Sequence, residues 1–314
     1  MKRSALALLL ASLLALQAAV QPLFGGPRKA DATASSEAPQ RGAAQQFNDE
    51  SFPGGIVRVA APAGTQIAIA NGRRALIERG LYERGQPQEV TYVIAAVPLD
   101  AQPGSGRVFA QHANGSVALP YRIASRAYPV QRLTLSNQRM VDPDPQDVLR
   151  IDAEQLLIDA ARDRFSPIPP QTLRLRAPVQ GRLSSPFGSR RVLNGQPRNP
   201  HNGLDFAAPT GARISAPLAG EVAGVGNYFF TGNTVFIDHG QGFVTMYAHL
   251  SHVAVTPGMR LAAGDLIGQV GATGRATGPH LHWAVYLSNV AIDPKLLLDA
   301  ASPPAGEQTT QPKQ

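Results

Sequence analysis

The chain has 314 residues, enough for two domains that each bury a hydrophobic core. Its 43% apolar and 16% charged residues are typical of a globular protein, and its 30 glycines and 27 prolines favour a β-rich fold over a helical bundle. The net charge of +7 attracts polyanions but does not choose among nucleic acid, anionic lipid and acidic wall polymers. Because the sequence has no cysteine, disulfides, thiolate metal sites, a catalytic cysteine and a cysteine-linked lipid anchor are all excluded.

The first twenty residues have the layout of a secretory signal peptide. Lys2 and Arg3 precede an apolar run that extends to Val20 and is short for a stable membrane span. No other stretch is long and apolar enough to cross a bilayer, so we expect export to the periplasm or beyond. Residues 21–50, rich in Ala, Gln, Ser, Pro and Gly, predict a flexible linker after the signal.

Short β-like runs separated by turn residues fill residues 51–137. The runs are 56–60, 65–70, 73–78, 90–97, 107–110, 117–123 and 130–135. Asn71 and Gly72 form a dipeptide typical of a tight hairpin turn between two of them. Several short strands at this spacing predict a small accessory β-sandwich. The region has no constellation of catalytic groups, and His112 is expected to be a surface or loop histidine.

Residues 138–176 predict a helical connector. Asp144 can cap a helix that starts at Pro145, and Asp147 in its first turn complements the helix dipole. An apolar stripe at helical spacing then predicts a packing face, formed by Leu149, Ala153, Leu156, Leu157, Ala160 and Ala161. Prolines at 167, 169 and 170 end the segment.

Strand patterns resume over residues 177–298 and predict a second β domain, followed by a disordered tail over 299–314. The strand-like runs are 214–216, 221–225, 234–238, 243–250, 266–270 and 281–287. Gly-rich turns join them, and the region has hardly any helical pattern. Six of the seven histidines lie between positions 201 and 282, so we expect this domain to carry the chemistry.

Two pairs of polar residues are spaced so that each pair can face one way. His280 and His282 alternate and therefore share a face of an extended strand. His201 and Asp205 are four residues apart, so they also share a face if their segment is extended. Neighbouring strands could thus direct imidazoles and a carboxylate at one point.

A further imidazole is expected from the strand that contains Tyr247 and His249, whose side chains point the same way by the same alternation. Two imidazoles and one carboxylate are a common catalytic zinc set, which leaves one position open for water. The five candidates exceed three ligands by two, and the surplus histidines could supply the acid and base that hydrolysis needs. His239 and His252 have no such partners in the sequence and are expected to have ordinary roles.

Residues 182–298 resemble the lysostaphin/LytM family of zinc endopeptidases. The matching stretches are 182–190, 201–206, 247–250 and 278–283. The resemblance implies a twisted antiparallel sheet with a groove over its centre, and hydrolysis of peptide bonds in peptidoglycan. It also implies that His201, Asp205 and His282 bind zinc. The catalytic pair would be His249 and His280.

This chain departs from the family pattern in one respect. Some relatives place a tyrosine shortly before the first zinc histidine, where it helps to hold the developing oxyanion. Residues 192–200 contain no tyrosine. The role is therefore open, with Arg190 and Arg191 as candidates.

The sequence thus predicts a mainly β zinc metalloendopeptidase that hydrolyses stem peptides or cross-links of peptidoglycan, with a polyglycine bridge as another possible substrate. The alternative is a non-catalytic LytM-type activator of another wall hydrolase, but such relatives have lost zinc ligands and every ligand is present here. A biotinyl or lipoyl carrier domain is excluded, because no lysine lies between Lys29 and Lys295.

The predicted partners follow from this function. Peptidoglycan is the expected substrate, and a regulatory protein that binds the N-terminal domain is a second candidate partner. Nucleic acid is not expected, nor is a stable membrane span beyond the signal. Whether the accessory domain inhibits the enzyme or recruits its substrate is left open by the sequence.

Overall fold

The structure, a computed structural model, describes residues 48–83 and 87–299. The expected signal peptide, nearly all of the expected linker and nearly all of the expected C-terminal tail lie outside these residues. Within the described ranges, no helix has both the length and the apolar character needed to cross a membrane.

Two sheets make up the described part of the chain before residue 124. The strands are β1 (Glu50–Ser51), β2 (Ile56–Ala61), β3 (Ile67–Ala70), β4 (Arg73–Arg74), β5 (Leu76–Glu83), β6 (Pro87–Ala96), β7 (Gly104–His112) and β8 (Gly115–Ile123). One sheet has the order β1-β8-β7-β3-β4 and the other the order β2-β6-β5. Val57, Val93 and Val108 are fully buried in one apolar cluster to which both sheets contribute residues. This is the small β-sandwich predicted from the sequence.

Local turn chemistry in this region follows the prediction. Asn71 and Gly72 both have positive φ, at 52° and 72°. Such a pair suits a tight hairpin turn, because asparagine and glycine tolerate the left-handed region. The turn joins β3 to β4 as expected.

The helical connector contains α1 (Pro145–Arg162) and a short 3₁₀ turn at Gln138–Met140. A second 3₁₀ turn, Pro294–Leu296, follows the last strand of the chain's described part. Asp144 caps α1 as predicted, since its side chain accepts a hydrogen bond from the backbone N–H of Asp147. The predicted packing face is wrong except at Ala161, which is buried. The three leucines of the stripe, Leu149, Leu156 and Leu157, are 72%, 72% and 62% exposed.

The helix packs against the protein through Ala161 and its neighbour Ile158, not through the leucines. Ala161 is buried in a cluster that includes Tyr228 and Phe236, with Ile158 beside it. A Cβ on Gly224 would lie 3.3 Å from the Cβ of Ala161, so a glycine on the sheet allows the helix to approach closely. The helix therefore docks through small residues near its C-terminus, and this contact explains why the leucine stripe stays outside.

The remaining strands of the described residues form one large antiparallel sheet and a smaller sheet beside it. The strands are β9 (Val130–Leu133), β10 (Arg182–Ser185), β11 (Arg190–Leu193), β12 (Gln196–Pro197), β13 (Leu204–Ala207), β14 (Arg213–Ser215), β15 (Gly220–Tyr228), β16 (Gly232–Gly240), β17 (Phe243–Val253), β18 (Arg260–Leu261), β19 (Leu266–Val270), β20 (His280–Leu287) and β21 (Val290–Ile292). The large sheet follows the path β10-β13-β20-β17-β16-β15-β18, and β14, β19 and β21 pair at its sides. This agrees with the predicted antiparallel sheet.

The large sheet is covered on both faces. Phe206, Tyr247 and Trp283 are fully buried in a cluster on one face. That cluster also contains Ile56 and Ile94 from the sheet β2-β6-β5, so apolar packing is continuous between the two parts. The opposite face carries the cluster under α1 and, nearer the other end of β20, the polar residues of the candidate site.

A small three-stranded sheet, ordered β12-β11-β9, stands beside the polar end of the large one. Its strand β9 comes from the segment before the helix and pairs in parallel with β11, with Val130 opposite Arg190 and Leu133 opposite Leu193. The chain that links the sandwich to the helix therefore passes next to the candidate site.

Candidate active site

Three side chains converge at the polar end of β13 and β20. Asp205 lies opposite His282 in the register of these strands, and His201 lies in the loop just before β13. The His201 Nε2 atom is 3.0 Å from Asp205 Oδ1 and 3.0 Å from His282 Nδ1, and the last two atoms are 2.8 Å apart. All three residues are buried, and their ligand atoms lie within 4.8 Å of one another. The group could hold a metal ion.

The hydrogen bonds behind His201 fix which nitrogen faces this group. Its Nδ1 lies 2.9 Å from the Pro186 carbonyl oxygen and 3.2 Å from Ser185 Oγ. A carbonyl only accepts, so Nδ1 carries the proton and donates it, which leaves the Nε2 lone pair directed at the other two residues. The ring is thus oriented as a ligand by its own neighbours.

The three atoms that meet here have too few protons to hydrogen-bond to one another in every contact. A bare imidazole nitrogen, a carboxylate oxygen and the Nδ1 of His282 meet at 2.8–3.0 Å, and neutral rings in this arrangement supply at most one proton between them. Atoms bound about 2 Å from a tetrahedral centre lie about 3.3 Å apart, close to these spacings. The residues therefore fit a small divalent cation with nitrogen and oxygen ligands.

Neighbouring groups keep the set in the charge state that metal binding requires. Burial disfavours the ionised Asp205, but its contacts with His201 and His282 outweigh burial and hold the pKa of its carboxyl well below the usual range. The second oxygen, Oδ2, accepts from Arg191 Nη2 at 3.2 Å. Burial lowers the pKa of His282 to about 4, against the opposing effect of Asp205, so this ring is neutral at pH 7.

Gly203 gives the ring of His282 its space. A Cβ at position 203 would lie 2.8 Å from His282 Cε1 and 2.5 Å from the carbonyl oxygen of Trp283. Real Cβ atoms essentially never approach other atoms so closely. The glycine between His201 and Asp205 is therefore a requirement of the site geometry.

His249 reaches the site by leaving the strand geometry of β17. Its φ is +66°, in the left-handed region, and its ring centroid is 4.7 Å from that of His280 and 6.0 Å from that of His282. Tyr247 instead points into the opposite core, where its hydroxyl lies 2.8 Å from Thr245 Oγ1. The prediction that Tyr247 and His249 share a side is wrong, because the left-handed residue breaks the alternation.

The His249 and His280 rings present similar atoms to the site. His249 Nδ1 lies 2.7 Å from the Thr273 carbonyl oxygen, and His280 Nδ1 lies 2.8 Å from that of Gly278. Each Nδ1 therefore holds the proton, and each Nε2 is left as an acceptor. Burial, reinforced by the charges of His280 and His282, lowers the pKa of His249 to about 3. The side chain of His280 is 16% exposed and is the more accessible of the two.

A groove of about 250 Å³ opens over these residues. His249, His280 and His282 form part of its floor, and β9 contributes Gln131 and Leu133 to one wall. The structure thus brings together all five residues that the sequence singled out. It also adds a wall from the segment before the helix, which no motif indicated.

His239 and His252 lie outside the five-residue group, and the two candidate arginines differ in their position relative to the groove. His239 is buried with both ring nitrogens paired, to the Ala219 carbonyl oxygen and to Thr245 Oγ1, each at 2.8 Å. His252 is exposed on β17. Of the two arginines considered as oxyanion donors, Arg191 lines the groove, whereas Arg190 is exposed in β11 and is absent from the groove lining.

Comparisons with known proteins agree with this geometry. Residues 199–294, which contain all five residues, match Peptidase family M23. A Pseudomonas aeruginosa protein assigned to peptidase M23 in its crystal structure is 37% identical, with a TM-score of 0.66, and the match covers 81% of this chain and 97% of that chain. The chain belongs to peptidase family M23. This confirms the peptidase family predicted from the motifs.

Two curated proteins are similar to about a third of the chain. Peptidoglycan DD-endopeptidase ShyA of Vibrio cholerae is 43% identical over 111 residues, which are 34% of this chain and 26% of that protein. DD-carboxypeptidase/endopeptidase Mpg of Neisseria meningitidis is 40% identical over 116 residues, which are 37% of this chain and 27% of that protein. The match thus spans about a quarter of the length of these relatives.

Proposed function

We propose that this M23 protein is a zinc metalloendopeptidase that hydrolyses peptide bonds in the stem peptides or cross-links of peptidoglycan. The observation that carries the proposal is the meeting of a His-Asp-His set with two further imidazoles at one groove. A metal site alone needs only the first three residues. The two extra rings are the groups that a hydrolase needs for proton transfer. The names of the curated relatives support peptidoglycan as the substrate.

In this proposal His201, Asp205 and His282 hold the zinc ion. Zinc, when bound, supplies a Lewis acid that polarises a peptide carbonyl and lowers the pKa of water toward about 7. Ser185 and the Pro186 carbonyl oxygen contact Nδ1 of His201 and so orient its Nε2 toward the metal position. Arg191 donates a hydrogen bond to the outer oxygen of Asp205 and so fixes the direction of that carboxylate.

The other two histidines support the proton transfer in different ways. The Nε2 atom of His280 is an acceptor in the more accessible ring, so it takes the proton of the attacking water as the new C–O bond forms. The same proton then passes to the leaving amine as the C–N bond breaks. His249, with its low pKa, stays neutral beside the transiently charged ring and stabilises it without competing for the proton.

The non-catalytic activator is the second reading and is disfavoured by the intact set of five groups. Export through the predicted N-terminal signal would place the protein in the periplasm or outside the cell, where peptidoglycan lies. A regulatory protein that binds the N-terminal part of the chain fits the position of β9 on the groove wall, since a partner there could change access to the site.

Mass spectrometry of purified peptidoglycan after incubation with the zinc-loaded protein tests the proposal. We expect cross-linked fragments to be converted to monomeric peptides by the wild type. His280→Ala should lose this activity by about 10²-fold or more, as for a lost general base. His252→Ala, which changes an exposed histidine of β17, is the matched control and should be fully active. If the wild type produced no new peptide termini, the peptidase proposal would be rejected in favour of the non-catalytic activator.

A further inference from the structure

The groove over the metal ligands carries an excess of positive charge. Arg191 and Arg275 both line it, and Asp205 is the one acidic residue among the lining residues that the structure describes. Because Asp205 already belongs to the metal-ligand set, its charge is shared with the cation that binds there. Positive guanidinium groups beside a bound cation repel it, and this repulsion costs free energy unless the ligand that enters the groove is itself negative.

Arg191 has hydrogen-bonding capacity left over. Its Nη2 contacts Asp205 Oδ2 at 3.2 Å, and its side chain is 21% exposed. Its Nε–H is buried and has no hydrogen-bond partner among the described residues. The exposed part of the side chain lines the groove, so the rest of the guanidinium can receive a further acceptor there.

Arg275 is held in place by contacts that leave its charge uncompensated. Its guanidinium lies over the Phe230 ring, 4.3 Å from the centroid, and Nη1 reaches the Met140 carbonyl oxygen at 3.4 Å. Within residues 48–83 and 87–299, no carboxylate forms an ion pair with it. Burial, followed by the charges of Arg191 and Arg198, lowers the pKa of Arg275 to about 10, which still leaves it charged at neutral pH.

We propose that Arg191 and Arg275 form a carboxylate-binding subsite, so that this groove selects peptides with a free carboxylate close to the scissile bond. The planar fork of a guanidinium matches a carboxylate in charge and geometry, and Phe230 and the Met140 carbonyl hold that of Arg275 at the groove. As a statement on substrate choice, the inference rests on the proposed function. It favours acidic stem peptides over an uncharged polyglycine bridge.

Binding is the direct test, because it does not depend on turnover. Fluorescence anisotropy would compare two labelled probes on the zinc-loaded full chain: a peptidoglycan stem peptide with free carboxylates, and the same peptide with every carboxylate converted to an amide. We expect the wild type to bind the acid about tenfold more tightly or better, the usual range for a hydrogen bond to a charged group. Arg275→Gln should reduce this ratio to near one.

The variants are chosen to separate charge from structure. Arg275 is replaced because Arg191 contacts a metal ligand, and its loss would disturb the zinc site. Arg275→Lys keeps the charge and should keep part of the preference for the acid. Arg260→Gln removes a charge from a side chain that is 89% exposed and should leave the ratio unchanged. Zinc content and melting temperature verify that each variant is folded and loaded.

Two outcomes overturn the inference: equal binding of both probes by the wild type, or an undiminished preference for the acid in Arg275→Gln. Cleavage of unlabelled cross-linked peptide by the same samples reports separately on the proposed function. A preference without cleavage keeps the subsite and removes the peptidase. Cleavage without a preference keeps the peptidase and removes the subsite.

Discussion

Replacement of Gly203 by alanine tests the geometry of the metal-ligand set with a single methyl group. The added Cβ would lie 2.8 Å from Cε1 and 3.0 Å from Nε2 of His282, and 2.5 Å from the carbonyl oxygen of Trp283. Favourable carbon–carbon contacts lie at about 3.5–4.0 Å, so the overlap with the ring approaches 1 Å. The φ of Gly203 is not in the left-handed region, so any effect comes from the lack of space and not from backbone strain.

Either the ring or the strand must yield to the methyl group. The Trp283 carbonyl belongs to β20, whose register with β13 is fixed by Leu204 opposite Trp283, so it can move little. Overpacking of this kind costs about 1–3 kcal/mol. We expect Gly203→Ala to lower the unfolding free energy of the metal-free protein by about that amount. Displacement of His282 should also weaken zinc binding by about tenfold, since 1.36 kcal/mol corresponds to one factor of ten.

The assays are urea unfolding of the metal-free protein and competition for zinc against a chromophoric chelator. Gly80→Ala is the matched control, because its Cβ would meet no atom within 4 Å and its φ is not left-handed. It should change stability by less than about 0.5 kcal/mol. If Gly203→Ala matched this control in both stability and zinc affinity, the placement of the His282 ring against position 203 would be refuted.

Three further substitutions have distinct expected results. Asp205→Ala should lose most of the bound zinc, because the metal set keeps only two ligands, and elemental analysis of the purified variant checks this. His249→Ala and His249→Gly should both keep zinc and lose about 10²-fold in turnover, but the glycine variant should be the more stable by about 1 kcal/mol in thermal unfolding, since glycine tolerates φ of +66°. Burial lowers the pKa of His239 from 6.5 to about 4, so the stability due to its neutral ring is present above pH 6.5 and is lost as the pH falls toward 4. Denaturant unfolding should therefore show about 2 kcal/mol less stability at pH 5 than at pH 8 from this group, and His239→Gln should lack that part.

Several local features of the fold can be predicted from short-range patterns in the sequence. The left-handed pair Asn71-Gly72 forms the predicted hairpin turn, and Asp144 caps the predicted helix. Alternation in β20 puts His280 and His282 on one side, as expected from their spacing. In each case the deciding interaction lies within a few residues, so a local pattern is sufficient.

Long-range contacts set the features that the sequence did not indicate. The predicted stripe of α1 contains leucines and alanines, yet only its Ala161 docks, because Gly224 allows the close approach there. Arg275 follows no motif, and only the cavity reveals that it lies beside Arg191. The parallel pairing of β9 with β11, which gives the groove a wall, joins segments about sixty residues apart. Composition and periodicity carry no information on such pairings.

The backbone at His249 shows how the site departs from the rules that build the sheet. Strand alternation would direct this ring into the core beside Tyr247, whereas the left-handed conformation turns it toward His280. A non-glycine residue in that conformation costs about 1–3 kcal/mol. Two hydrogen bonds offset the cost: the His249 N–H donates to the Thr231 carbonyl at 2.8 Å, and Nδ1 donates to that of Thr273 at 2.7 Å. Because the second bond also leaves Nε2 free to accept, the contact that stabilises the strained backbone also orients the ring beside His280, the proposed proton acceptor.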